Sequence, residues 1–306
     1  MVNTAPRPIR IDASAEYPSN IRRRHRHHLA VDTIAVIVVL AAAWLIAQIT
    51  TSPNFGWPDI AVYLFDPRIL NGVLTTLVIT ILAMIIAIAL GLVLAMMRLS
   101  KNRILVAVSW VYVWFFRSVP LLVLLLVVYN ISVLIPRLSV GVPFGPALFS
   151  VSTSDLVNGF IAGVLVFGLQ EAAYTSETLR SALVAVPIGQ TEAAMAIGMR
   201  PWQRLSSVVF PQALRIAVPP LANDTITLMK STSLLAFIAV ADLLYSAQEI
   251  YAQNYRIIPL LMVATVWYVV LVSVLSLGQT LLENYLRTGS VQILRRSKSL
   301  LPKEAQ

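Results

Sequence analysis

Cysteine is absent from this chain, which excludes disulfides, thiol chemistry and cysteine-held metals and leaves the redox compartment unread. Histidine is confined to His25, His27 and His28, all in one arginine-rich stretch near the N-terminus. None is left for a catalytic triad, a metalloprotease helix or a proton relay, and the cluster reads as a solvated basic flank. Charge is scarce too: charged residues make up 12% of the chain, about half of what a soluble domain carries. No G-x-x-x-x-G-K-[ST] phosphate loop occurs, so the chain does not bring ATP hydrolysis with it.

What fills the space is apolar. Hydrophobic residues account for 58% of the sequence, the composition of an integral membrane protein. Apolar runs from Thr33 to Ile49, Ile69 to Met97, Leu121 to Ile135, Leu156 to Val186, Ala217 to Ala241 and Ile257 to Leu282 predict an all-α, polytopic protein of about six transmembrane helices. The aromatic segment Ile104 to Phe116 reads as an interfacial helix or the lower part of a span, broken from the next run at Arg117-Ser118-Val119-Pro120. There the arginine is expected to reach for headgroups rather than for a solute. The connection from Thr50 to Arg68 carries Pro53, Gly56, Pro58 and Pro67 and a short interfacial segment around Trp57 to Phe65. A second outer loop runs from Pro136 to Asp155, punctuated by Pro143, Gly145 and Pro146.

The net charge of +9 would suggest nucleic acid in a soluble chain, but its placement points to a membrane. Basic residues crowd the N-terminal tail, the turn Arg98 to Arg103, the stretch holding Arg200, Arg204 and Arg215, and the C-terminal tail. The alternate connections hold only Asp59, Asp66 and Arg68, then Arg137 and Asp155, then Asp242, Glu249 and Arg256. That asymmetry places both termini and the 188–215 loop in the cytoplasm. Residues 1–30 read as an unstructured basic tail, 31–70 as an extra N-terminal helix with its outer loop, 71–286 as the core, and 287–306 as a basic tail beside anionic lipid.

Polar residues inside spans are the candidates for function, since a charge at mid-bilayer costs about 2.5 to 3.5 kcal/mol on the insertion scale. Glu177 and Arg180 are three apart and are expected to pair on one helix face. Glu171 lies deeper, with Tyr174 and Thr178 on its face; it either lines a solute path or makes a buried interhelical hydrogen bond. Asn223, Asp224 and Lys230 follow the helix-disturbing Pro219-Pro220. Lys230 either pairs with Glu171 or Asp224, or joins them along a path for a charged or zwitterionic solute. Trp267 and Tyr268 read as packing anchors, and Thr75 and Thr76 as residues bonding back to their own helix.

The run Gln190 to Pro211 is too polar to cross a bilayer and too patterned for a simple loop. Thr191 to Ile197 predicts a short helix with Glu192 in its first turn, and Gly198 ends it. Pro201 then fits the start of a second short helix with Trp202, Leu205, Val209 and Ala213 on one apolar face. The result is a docking surface.

In this run, Glu192-Ala193-Ala194, three residues, Gly198, nine residues, Val208, one residue and Phe210-Pro211 resemble the EAA signature of bacterial ABC-importer permeases. Val208 and Phe210 depart from that family's usual Ile and Leu but stay apolar. Ala173-Tyr174, Glu177, Arg180 and Gly189-Gln190 before it, and Gln212 to Arg215 and Lys230 to Leu234 after it, resemble the subfamily for polar amino acids such as histidine, glutamine, glutamate and opines. The similarity covers about Asn71 to Leu286. It implies a type I permease core of five helices plus one N-terminal helix, in the bacterial inner membrane, performing no covalent chemistry and needing no cofactor. It also implies a second permease subunit, two cytoplasmic ATP-binding subunits and an external solute-binding protein. Glu192, Ala193, Ala194 and Gly198 would then form a coupling helix in a groove of the ATPase, with Glu192 meeting a basic group, the alanines allowing close approach and Gly198 setting the turn. Glu171, Tyr174, Asn223, Asp224 and Lys230 would mark the translocation path. The competing readings are a secondary transporter or channel driven by an ion gradient, and an intramembrane enzyme for which only Glu171 and Asp224 offer paired carboxylates.

Overall fold

The computed structural model describes residues 29–141 and 147–299. The N-terminal tail up to His28, the loop tip with Pro143, Gly145 and Pro146, and the chain from residue 300 onward lie outside the described residues. Two compact units divide the chain, one ending at Phe55 and the other beginning at Gly56. In the first, α1 (Leu29–Thr50) is apolar from Asp32 to Thr50, a length of roughly 29 Å, enough to cross a hydrocarbon core. Thr50 and Thr51 close it by donating to Ile46 O and Ala47 O at 2.9 and 2.7 Å.

The second unit starts with α2 (Trp57–Tyr63), a short helix within the Trp57 to Phe65 segment, and α3 (Pro67–Arg98). After them come α4 (Arg103–Ser118), α5 (Leu121–Tyr129), α6 (Ile131–Leu134), an antiparallel hairpin of β1 (Arg137–Gly141) and β2 (Ala147–Ser152), α7 (Thr153–Leu156) and α8 (Gly159–Val184). The chain continues with α9 (Ile188–Ala196), α10 (Pro201–Arg204), α11 (Phe210–Ser231), α12 (Leu243–Asn254) and α13 (Ile257–Ser299). Among the described residues four helices are long and apolar enough to cross a membrane, or five if α4 and α5 count as one broken span. The 26-residue α8 is also of spanning length; it packs against α3, α4, α5 and α11.

Asp66 caps α3 by accepting from Arg68 N at 2.9 Å and pairs with the Arg68 guanidinium at 3.0 Å. The guanidinium hydrogen bond holds the Asp66 carboxyl below the usual carboxylate range. Along α3, Ile69, Val73, Thr76, Thr80, Ala83, Ala87, Gly91 and Ala95 are buried, one stripe at helical spacing, while Leu74, Ile81 and Ile85 stay exposed. Small residues let α3 and α8 approach closely. A Cβ on Gly91 would stand 2.7 Å from Thr175 Cγ2, and one on Gly168 2.9 Å from Ile86 Cβ.

Two apolar cores follow. One gathers Ile79, Ala83, Leu124, Leu125, Val166, Phe167, Leu228 and Leu235. The other gathers Ala95, Leu179, Ala182, Leu183, Ala213, Ala217 and Leu221.

Several elements depart from the sequence reading. Leu121 to Ile135 is not one crossing helix: α5 spans only about 14 Å and stops at Asn130, whose side-chain amide donates to Leu126 O at 2.8 Å. The outer loop folds into the hairpin, with Leu138 opposite Val151 and Val140 opposite Phe149. Asp242 is not a loop charge. It is fully buried and caps α12, accepting from Tyr245 N at 2.8 Å and from the Tyr268 hydroxyl at 3.4 Å. Thr76 serves the same junction, since its hydroxyl accepts from Leu243 N at 3.2 Å. The last helix continues unbroken from Ile257 to Ser299 where a tail was expected. Trp267 is the packing anchor that was read: its indole donates to Leu64 O at 2.8 Å and its ring meets Phe65 edge-on.

Candidate functional site

The Gln190 to Pro211 run builds its first helix from Pro187, which starts α9 at Ile188, three residues earlier than expected. Glu192 therefore falls in the second turn, where it is exposed. The helix ends in a paired hydrogen-bond motif: Met199 N donates to Ala194 O at 3.1 Å and Gly198 N to Met195 O at 2.9 Å. Gly198 sits at φ +79°, the left-handed conformation that this ending requires and that glycine adopts without strain. Nothing lies within 4 Å of where a Cβ would be, so backbone conformation and not crowding asks for glycine here.

The second helix is not short. Pro201 opens α10, whose Gln203 side chain accepts from Arg200 N at 3.0 Å. A π-helical turn, Leu205–Val209, then carries it straight into α11, so that one 38-residue element runs from Pro201 to Ile238. The wider turn holds an extra residue and rotates what lies before it. Consequently Trp202, Leu205, Val209 and Ala213 do not form the expected single face: Trp202 is 71% exposed while Ala213 is buried. Leu205, Val209 and Phe210 pack on the core that holds Leu179, Ala182 and Ala217, and α9 packs against the π turn. Ala194 is buried there, whereas Glu192, Ala193 and Ile197 face outward. The two alanines of the motif thus differ in environment, Ala194 packed inward and Ala193 open.

At the far end of this element is a cavity of about 390 Å³ between the α4–α5 break, α8 and α11. Pro120 forces Val119 into an extended conformation and α4 and α5 meet at 99°. Gln170 stabilises the break, its amide donating to Phe116 O at 3.2 Å and Val119 O at 3.1 Å. Arg117, Gln170, Glu171, Tyr174, Thr227 and Ser231 line the space. The Arg117 guanidinium lies 5.0 Å from the centre of the Tyr174 ring, a cation–π contact. Arg117 also stands in the lining of the cavity, on the same wall as Tyr174.

Glu171 and Tyr174 come together as the sequence suggested. Asp224 is half-buried on α11, close enough to act electrostatically on Glu171, but it and the exposed Asn223 lie outside the lining. Lys230 is exposed and, among the described residues, makes no ion pair with either carboxylate. Sequence reasoning missed Thr227 and Ser231. The signal was available in the four-residue spacing of Asn223, Thr227 and Ser231, which puts them on one face. Their hydroxyls donate back to Asn223 O and Thr227 O at 3.1 and 3.0 Å, leaving oxygen lone pairs for a guest. The cavity therefore offers a guanidinium to an anion and a carboxylate with hydroxyl oxygens to a cation. Glu177 and Arg180 make the expected pair at 2.9 Å.

Residues 87–288 match the family described as the inner membrane component of binding-protein-dependent transport systems. The arginine transport system permease protein ArgU of Corynebacterium glutamicum is 35% identical over 284 residues, covering 92% of this chain and 88% of that protein. The L-cystine transport system permease protein TcyB of Bacillus subtilis is 36% identical over 239 residues, 78% of this chain and 94% of that protein. Among solved structures, a chain of an amino acid ABC transporter crystallised with histidines superposes with a TM-score of 0.62 at 29% identity, covering 74% of this chain and 97% of that one. The inward-facing MetNI methionine ABC transporter shares the fold, with a TM-score of 0.57 at 20% identity over 72% of this chain and 96% of its own.

Proposed function

Because this chain belongs to the inner membrane components of binding-protein-dependent transport systems, we propose that it forms one half of the pathway of an ATP-driven importer for polar amino acids. The relatives named for arginine and cystine support that substrate class. So does the cavity, whose Arg117 and Glu171 suit the carboxylate and ammonium of a zwitterion. A second permease subunit completes the pathway, two ATP-binding subunits work from the cytoplasm, and a solute-binding protein delivers from outside. The positive-inside pattern puts α9 on the ATPase side.

One observation carries the mechanism: the exposed turn at Gly198 and the cavity wall are ends of the same mechanical train. α9 rests on the π turn, and the element from Pro201 to Ile238 carries Thr227 and Ser231 into the cavity. When nucleotide draws the ATPases together, a push on α9 tilts this element and moves the cavity wall against α8. Access then changes sides. The chain supplies no nucleophile or proton relay to this cycle; Glu192, Ala193 and Gly198 receive the motion, and Glu171, Tyr174 and Arg117 hold the solute.

Uptake by the complete transporter in proteoliposomes tests both halves of the reading. Glu171→Gln keeps shape but removes the charge, and is expected to raise the KM for the transported amino acid about tenfold, the loss of one charge-assisted hydrogen bond, with ATP hydrolysis retained. An unchanged KM places Glu171 outside the solute site. Uptake by the purified chain alone, driven by a proton or sodium gradient, would replace the importer reading with a secondary transporter.

A further inference from the structure

Beside the solute cavity lies a second one of about 330 Å³, lined by Arg98 at the end of α3, by Trp110, Trp114, Arg117 and Ser118 of α4, and by Glu177 of α8. Its charges do not balance. Glu177 commits Oε2 to Arg180, 3.0 Å from Nε and 2.9 Å from Nη2. Its other oxygen stands 3.8 Å from Arg98 Nη1, beyond hydrogen-bond length. That nitrogen is buried and has no hydrogen-bond partner among the described residues. The lining thus holds two guanidinium groups, Arg98 and Arg117, and one carboxylate that is already engaged by Arg180. A buried charged donor without an acceptor is costly, and the guest that would satisfy it is an anion. Ser118 adds only acceptor capacity, since its hydroxyl donates to Trp114 O at 2.6 Å.

The rim identifies what carries the anion. Trp110 and Trp114 stack with centroids 6.2 Å apart and planes 5° from parallel, and both are more than half exposed. Ile104, Val108 and Val111 extend the exposed apolar face of α4 beside them. Indoles next to arginines, with aliphatic surface alongside, are the chemistry of the headgroup level of a bilayer. Two arginine forks also match the tetrahedral oxygens of a phosphate.

We propose that this cavity binds the phosphate group of an anionic phospholipid, with its acyl chains lying against the exposed face of α4. The leaflet, though not the site, rests on the inner-side assignment of the Arg98 to Arg103 turn made above. Arg117 belongs to the walls of both cavities, so an occupied lipid site would hold it in place beside the solute.

The test uses the complete transporter, stripped of lipid in detergent and titrated with phosphatidylglycerol or phosphatidylcholine, with bound lipid counted per permease subunit by native mass spectrometry. Phosphatidylglycerol is expected to bind more tightly. Arg98→Gln should weaken it about tenfold and leave phosphatidylcholine unchanged, while Arg98→Lys, which keeps the charge but loses the fork, should fall between. Where Arg98→Gln fails to assemble, Arg98→Lys alone decides, by its loss of preference for the anionic lipid. Equal binding of the two lipids by the unaltered protein, or no effect of either variant, overturns the site. Displacement of the lipid by inorganic phosphate alone makes the free anion the ligand and overturns the lipid assignment. Because binding is counted without transport, failure here leaves the importer reading standing, and failure of that reading leaves this measurement intact.

Discussion

Gly198 holds φ +79° in open space, so a side chain there meets no neighbour and pays only in backbone conformation. An alanine costs about 1 to 2 kcal/mol in this region, and asparagine, which visits it more readily, costs less. In the complete transporter the ratio of amino acid taken up to ATP hydrolysed should therefore fall in the order Gly198, Gly198→Asn, Gly198→Ala, Gly198→Val, with membrane insertion kept throughout. A flat series would show that the turn does not shape the receiving surface. Asp242 makes the opposite kind of case, a carboxylate wholly buried and held by Tyr245 N and Tyr268. Asp242→Ala removes a cap and leaves the Tyr268 hydroxyl without that partner, costing about 1 to 3 kcal/mol. A lowered thermal unfolding temperature of the assembled transporter checks this, and Asp242→Asn should lower it less.

Elements that announce themselves locally were readable in the sequence. The uncharged run of α3, the glycine ending of α9 and Pro201 at the start of α10 each state their role within one or two turns. Features that depend on distant partners were not. Asp242 follows an apolar stretch and reads as a loop charge until Tyr268, on another helix, is brought beside it. The contact of Arg117 with Tyr174 joins two helices, and neither local stretch announces it. Thr227 and Ser231 look like ordinary hydroxyls that bond to their own helix, which they also do. The π turn at Leu205–Val209 has no local signature at all. Its consequence is testable: the turn already holds one extra residue, so an alanine inserted after Ser207 has no slack to take it up and turns everything before it by about 100° relative to α11. α9 then faces away from its present contact with the turn, so ATP-driven uptake should be lost while the chain still inserts. Retained uptake would mean that α9 and the cavity are not linked through this helix.

At the scale of the whole molecule, two surfaces that share no residues are joined by packing. The outward-facing α9 with Ile197, the core around Leu179, Ala182 and Ala217, and the cavity between α4, α5, α8 and α11 are linked by contacts, the route along which the proposed motion would travel. The absence of cysteine from the chain makes the entry point of that path directly addressable. Ile197 is 78% exposed, unlike the buried Ala194, so Ile197→Cys offers a single reactive thiol on the surface proposed to meet an ATP-binding subunit. In membranes holding the complete transporter, a bifunctional reagent at this position should link the permease to an ATP-binding subunit and stop uptake. Capture of nothing, or labelling of the same thiol by a membrane-impermeant reagent added from outside, would contradict the entry of ATP-driven motion at α9.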